Sequence, residues 1–396
     1  MTSTEPVALP LTRQCPYAPP PEHLRLRDEQ PVARVRLPSG MTVWALTRHE
    51  DIRAMLTDPR FSSDRNRPGF PAFTHDPIPV SLSLLGMDPP EHGPARRAVM
   101  GEFTLKRITA LRPRIQQIVD ERVDALLAGP RPVDLVPALS LPVPSLVTCE
   151  LLGVPYAEHD FFQSRSATLL SRGVSVQQIQ QALGELLSYL DRLIAAKEQE
   201  PTDDLLGRQV RRQQEQGPVD HEALVSLAFL LLVAGHETTA NMISLGVLAL
   251  LDHPEDLAVI RRDPSRTPDA VEELLRWFTI AELGTSRVAL EDVEIGGVLV
   301  RAGDGVLGLS NTADRDPEVF TDPGSFDIDR GGRHHLAFGY GPHQCLGQHL
   351  ARLELQIVLD TLFRRIPHLR CTVPVDELPF KNDADIYGLH ELPVTW

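Results

Sequence analysis

The chain has 396 residues, 42% hydrophobic and 23% charged, a globular composition that supplies a large apolar core and excludes disorder and collagen-like repeats. Its 39 Lys+Arg against 54 Asp+Glu leave a net charge of −15, the wrong sign for neutralising a phosphate backbone or anionic lipid heads, so nucleic acid and membrane are excluded as partners. No Gly/Ser tract, charge block or long proline-rich linker divides it, and one domain spanning 1–396 is expected.

Residues 1–24 hold Pro19-Pro20-Pro21 and no apolar stretch of leader length, so they are predicted to form an irregular arm that neither targets nor anchors the chain. Short strands are predicted at 33–37 and Thr42–Leu46 around the turn Ser39-Gly40. Apolar residues at three- and four-residue spacing then predict helices over 106–128, 177–199, 222–251, 269–278 and 347–366. Strands are predicted again at Val293–Ile295 and Val298–Val300, joined by Gly296-Gly297, and at 306–309. The fold class is therefore mainly α with a small β region. Cys15, Cys149, Cys345 and Cys371 are dispersed without a C-x-x-C pair, which encodes neither a disulfide framework nor a four-thiolate metal site and suits a reducing cytoplasm. Only Lys106, Lys197 and Lys381 are lysines.

Two segments stand out chemically. Residues 224–251 are apolar on every side, as in a buried helix, yet their centre reads Ala234-Gly235-His236-Glu237-Thr238-Thr239-Ala240-Asn241. That island leaves the apolar run short of the roughly 20 residues a membrane span needs. Burying such groups unpaired costs roughly 2–7 kcal/mol each, so they either hydrogen-bond to one another across packed helices or face a wet cavity. Gly235 weakens the helix, and the Thr238 hydroxyl can turn back to the Ala234 carbonyl. The second segment, Phe338-Gly339-Tyr340-Gly341-Pro342-His343-Gln344-Cys345-Leu346-Gly347, is a glycine-rich turn running into a helix. Free backbone N–H groups and the positive end of the helix dipole favour thiolate over thiol there, and Gly339, Gly341 and Gly347 permit tight turns and close approach by a flat ligand. A nucleophilic cysteine would need a base from elsewhere in the fold, whereas an axial thiolate on haem iron needs no second protein ligand.

The pattern F-G-x-G-x-H-x-C-x-G resembles the haem-thiolate signature of the cytochrome P-450 monooxygenases. Three further segments agree in order. Ala234–Thr239 is similar to the family's motif of Gly, any residue, acid, Thr, Thr; Glu273-Leu274-Leu275-Arg276 to its E-x-x-R motif, with Arg330 as the arginine partner; and His92-Gly93-Pro94-Ala95-Arg96 to the H-x-x-x-R of soluble bacterial members. The closing Glu391-Leu392-Pro393-Val394-Thr395-Trp396 resembles actinomycete secondary-metabolism members.

The resemblance implies a cytochrome P-450 fold with haem b between a long central helix and the Cys-ligand loop. Cys345 is then the iron ligand, and His92, Arg96, Arg287 and His343 hold the haem propionates. Ala234, Gly235, Phe338, Gly339 and Gly347 complete the cofactor-binding set. Glu237 and Thr238 take the catalytic acid and alcohol positions that deliver protons. Glu273 and Arg276, which by spacing alone would be an exposed helical pair, become with Arg330 a buried clamp supporting the cysteine loop. The loops 61–85, 161–178 and 281–285 line the substrate pocket, with Leu84, Leu85, Leu230, Ala234 and Leu283 among its residues; Phe70, Phe73 and Leu82 add lipophilic character. The implied reaction is dioxygen-dependent hydroxylation or epoxidation of a lipophilic polyketide, macrolide, terpenoid or sterol-like molecule by a cytoplasmic monomer. Electrons come from NAD(P)H through a ferredoxin reductase and a ferredoxin, for which Arg97 and Arg352 are candidate docking residues. Oxidative coupling or dehydrogenation would share every motif, and a haem-binding sensor would be expected to lack the Glu237-Thr238 pair.

Overall fold

In the computed structural model, residues 6–74, 83–281 and 284–396 are described. They group into two compact units, Met1–Pro94 with Glu272–Cys345 and Ala95–Val271 with Leu346–Trp396.

The first unit is built on a mixed sheet. Val32–Arg36, one residue ahead of the predicted 33–37, pairs antiparallel with Thr42–Leu46 around a turn in which Gly40 has φ +84°. Gly305–Gly308 joins parallel to Thr42–Leu46, then Ser286–Ala289 and Phe61–Ser62 follow antiparallel. Both faces are buried with period two: Leu46 and Val306 pack with Ile52, Met55 and Leu336, while Ala45 and Leu307 pack with Leu9, Val35 and Val43. The predicted hairpin Val293–Ile295/Val298–Val300 is present, and Gly296 and Gly297 both take the positive φ that a two-residue turn requires. The expected irregular arm is shorter than 1–24. Val7–Ala8 pairs parallel with Val35–Arg36, and a helix begins at Pro21, where the missing N–H leaves no bond unmade.

The second unit centres on the helix His221–Asp252, capped by the Asp220 side chain accepting from the Ala223 N–H. It packs on Pro142–Leu152, Val176–Gln199 and Gln348–Arg365. By length and composition this helix could cross a membrane, so the expectation that its polar island leaves it too short does not hold; 56% of its most apolar window is buried within the protein. The predicted helix 106–128 is two, Leu105–Ala110 and Arg112–Ala128, because Pro113 cannot donate into the preceding turn and starts the second helix instead. Thr267–Phe278 covers the predicted 269–278.

Candidate active site

The cysteine loop is shaped by its own backbone. Gly339 (φ +66°) and Gly341 (φ +72°) occupy the left-handed region, and a Cβ on Gly341 would stand 2.8 Å from the Leu56 carbonyl oxygen. The Cys345 N–H donates to the Phe338 carbonyl at 2.8 Å and that of Gln344 to Gly341 at 3.0 Å, which leaves Cys345 exposed just ahead of the helix Gln348–Arg365. Gly347 departs from the expectation, since its φ is −82° and open space surrounds its Cα, so nothing in its conformation demands glycine.

Behind the loop stands Asp314, which the sequence reading did not single out. Its carboxylate accepts from the Leu336 N–H at 2.7 Å and the Thr279 hydroxyl at 2.6 Å, and its carbonyl accepts from Arg276 Nη1 at 2.8 Å. Burial raises the Asp314 pKa, against the opposing influence of His335 and of the Thr279 and Leu336 hydrogen bonds. Arg276 also grips Glu273 through two bonds of 2.8 and 2.6 Å, while Arg330 Nε and the Asp327 N–H reach the same carboxylate at 3.3 and 3.0 Å. Glu273 is 1% and Arg276 0% exposed, which excludes the exposed-pair reading and makes them a buried clamp on the segment 314–327.

A group of cations and donors lies in the same unit. His92 and His343 stack with ring centroids 4.0 Å apart, and His343 Nε2 is 3.1 Å from the Ser63 hydroxyl. Asp88 accepts from the Ser63 N–H at 2.7 Å and from the Ser62 hydroxyl. Arg287, 6% exposed, donates to the Ser286 carbonyl at 2.7 Å, and among the described residues no carboxylate forms an ion pair with it. Burial pushes its pKa down to about 10, which Asp88 opposes and Arg65 reinforces. The helix His92–Met100 carries His92 and Arg96 one turn apart, with Arg96 half-buried and Arg97 exposed.

In the second unit the long helix separates its polar island into two environments. Leu230 and Thr238 are half-buried and Ala234 exposed, so positions four apart form an open stripe beside the buried face of the helix. Thr238 Oγ1 donates to the Ala234 carbonyl at 3.0 Å, as the sequence suggested. Away from that stripe His236, Glu237, Thr239 and Asn241 are buried. Glu237 Oε1 accepts from Lys381 Nζ at 2.6 Å and Asn241 Nδ2 at 3.2 Å. Burial alone would raise the Glu237 pKa; Lys381, His236 and Asn241 outweigh it and hold the carboxyl below its ordinary value. His236 Nδ1 meets the Leu232 carbonyl at 2.7 Å, its ring lies edge-on to Phe162, and burial lowers its pKa. Gly235 has a packing reason to be glycine, because a Cβ there would stand 2.8 Å from Thr148 Oγ1. Lys381 had no motif around it; being one of three lysines in the chain was its sole mark.

Of the proposed substrate-pocket residues, Leu84 is buried with φ 60°, Leu85 is 36% exposed, and Phe73 packs against the sheet core beside Leu9 and Val43. Leu283 and Leu82 lie outside the described residues. The donor set of the first unit fits a thiolate-ligated haem. It offers an exposed thiol on a glycine-shaped loop and a buried guanidinium that, among the described residues, has no carboxylate partner, which suits a propionate.

A family model described as Cytochrome P450 matches residues 265–384. Pentalenic acid synthase of Streptomyces avermitilis is 52% identical over 394 residues, covering 99% of this chain and 98% of its own length. The crystal structure of cytochrome P450 MoxA from Nonomuraea recticatena (CYP105) matches with a TM-score of 0.90 at 60% identity, covering 98% of each chain. That of the mycinamicin VIII C21 methyl hydroxylase MycCI from Micromonospora griseorubida, bound to mycinamicin VIII, matches with a TM-score of 0.94 at 42% identity, covering 98% of this chain and all of the other.

Proposed function

The chain belongs to the cytochrome P450 family and is an actinomycete-type monooxygenase, and from that premise we propose that Cys345 would hold the haem iron and that its substrate is a lipophilic secondary metabolite. Arg287, His92, Arg96 and His343 would hold the propionates, and Phe338, Gly339 and Ala234 would border the ring. When bound through a cysteine thiolate, haem supplies the electron-rich iron that activates dioxygen. The chain's own residues do the rest. The Asp314 and Arg276 hydrogen bonds fix the start of the cysteine loop, Thr238 holds a hydrogen-bonding position on the open stripe, and Glu237 takes up and passes on protons. Leu230 and Ala234 on that stripe, with Leu84 and Leu85, favour an apolar substrate of the macrolide, polyketide or terpenoid kind, and the likeness to an enzyme solved with mycinamicin VIII supports that class. Electrons from NAD(P)H would arrive through a ferredoxin, and the enzyme would work as a cytoplasmic monomer, a single catalytic domain.

The observation that carries this reading is the exposed Cys345 on its glycine-shaped turn. A reduced, carbon-monoxide-bound absorption spectrum of the purified protein tests it: the thiolate-type Soret band is expected, and Cys345→His should abolish that band. A wild-type spectrum of the imidazole type would overturn the assignment. Screening lipophilic metabolites for the ferric spin-state shift then identifies the substrate.

A further inference from the structure

Glu237 is joined by an ion pair to a part of the chain far away in sequence. Lys381 sits on a hairpin closed by the bridge between Phe380 and Leu389 and by the Lys381 N–H donating to the Gly388 carbonyl at 2.9 Å. The hairpin presses on the long helix so closely that a Cβ on Gly388 would overlap Asn241 Oδ1. Asn241 and Lys381 therefore reach the same Glu237 oxygen from two sides. The tip of the hairpin is tied in turn to residues 170–172, between the helices His159–Leu170 and Val176–Gln199. The Arg172 N–H donates to the Asp383 carbonyl at 2.6 Å, its guanidinium to the Asn382 and Ala384 carbonyls at 3.0 and 2.7 Å, and the Asp385 N–H to the Leu170 carbonyl at 2.9 Å.

We propose that Lys381 is the positioning residue that holds Glu237 for proton transfer, and that the hairpin makes this hold depend on where residues 170–172 sit. The proposal rests on the monooxygenase reading of Glu237. The charged and titratable groups acting on that carboxylate are Lys381 from the hairpin and His236 from the same helix; Asn241 adds a neutral donor. Lys381, with 16% of its side chain exposed, stands between solvent and a carboxylate that is 8% exposed. Without the ammonium, burial is opposed only by His236 and Asn241, and the pKa of the Glu237 carboxyl should rise.

The test uses the holoenzyme of the wild type and of the Lys381→Met, Lys381→Arg, Lys381→Met/Glu237→Gln and Arg172→Ala variants, with infrared difference spectroscopy of protonated carboxyls across pH and measurement of product per electron. A carboxyl band near neutral pH is expected in Lys381→Met, absent from the wild type and from Lys381→Arg, and removed by the added Glu237→Gln. Coupled turnover should fall toward the loss of about 10²-fold that follows a missing proton-transfer group. Arg172→Ala should move the carboxyl midpoint in the same direction by a smaller amount. If Lys381→Met does not retain haem, Lys381→Gln makes the same comparison. A thiolate-type spectrum with no new carboxyl band in either neutral variant overturns the role of Lys381, and an unmoved midpoint in Arg172→Ala overturns the link to 170–172. Failure of the underlying reading would show separately, as loss of the thiolate-type spectrum in the wild type.

Discussion

Gly235→Ala sets two local energies against each other on the long helix. Alanine is favoured over glycine in a helix interior by about 0.8–1.0 kcal/mol. The added Cβ would stand 2.8 Å from Thr148 Oγ1 and 3.2 Å from its Cγ2, on a side chain 3% exposed. A β-branched residue in a helix has few rotamers to retreat into, and overpacking a tight interior costs about 1–3 kcal/mol. The single substitution should therefore destabilise by about 0–2 kcal/mol. In a Thr148→Ala background both near atoms are gone and the remaining contact, 3.6 Å to Cβ, is ordinary, so Gly235→Ala should now stabilise by about 0.8–1.0 kcal/mol. Urea unfolding of the four holoproteins by circular dichroism, with carbon-monoxide spectra alongside, measures this coupling of about 1–3 kcal/mol. An equal cost in both backgrounds would refute the packing argument. Loss of the haem spectrum in both would show instead that Gly235 is reserved for the cofactor.

Arg276→Leu leaves Glu273 to Arg330 and the Asp327 N–H, and strips a donor from the buried Asp314 carbonyl and from the part-buried carbonyl bonds of Pro323 and Ser325; it should cost about 3–5 kcal/mol in thermal or urea unfolding, with little recovered by Arg276→Lys, which lacks the fork. Glu354 on Gln348–Arg365 is buried, neither carboxylate oxygen is hydrogen-bonded among the described residues, and burial pushes its pKa well up. The folded form then keeps a proton that the unfolded chain releases, so this group's contribution to stability falls as pH rises above the ordinary carboxylate range, by up to ~1.4 kcal/mol per pH unit. Glu354→Met should remove that slope, and a gap from wild type that does not widen between pH 5 and 8 would contradict it. Thr238→Ala should leave the haem spectrum intact while diverting electrons into hydrogen peroxide or water, and peroxide yield per electron reports it; tightly coupled product formation would overturn the assignment.

Regular pattern made much of this legible. The long helix, the hairpin with Gly296-Gly297 and Thr42–Leu46 all carry a period or a turn residue in sequence, and the structure has them. Ser286–Ala289 and Phe61–Ser62 do not, because strands of four and two residues are too short to show alternation and owe their form to the neighbours they pair with. Pro142–Leu152 was hidden by Pro142 and Pro144, which sit in its first turn where proline is tolerated. Among the candidate site residues, local motifs singled out Cys345, Glu237 and Glu273. Asp314 and Lys381 reach their partners over long sequence separations and have no local pattern, so only the fold exposes them.

Glu237 and Thr238 are neighbours in sequence, yet a helix turns about 100° per residue, so they cannot share a face. On the proposed reading, that turn divides the work. The acid points into packed protein, where Lys381 and Asn241 can set its charge, and the alcohol lies on the stripe left open around Ala234. The Thr238 proton is already given to the Ala234 carbonyl, so its oxygen offers lone pairs to that stripe. In the proposed role Thr238 would act there as a hydrogen-bond acceptor, and a proton passed from Glu237 would need a carrier around the helix, such as an ordered water with polar partners at both ends.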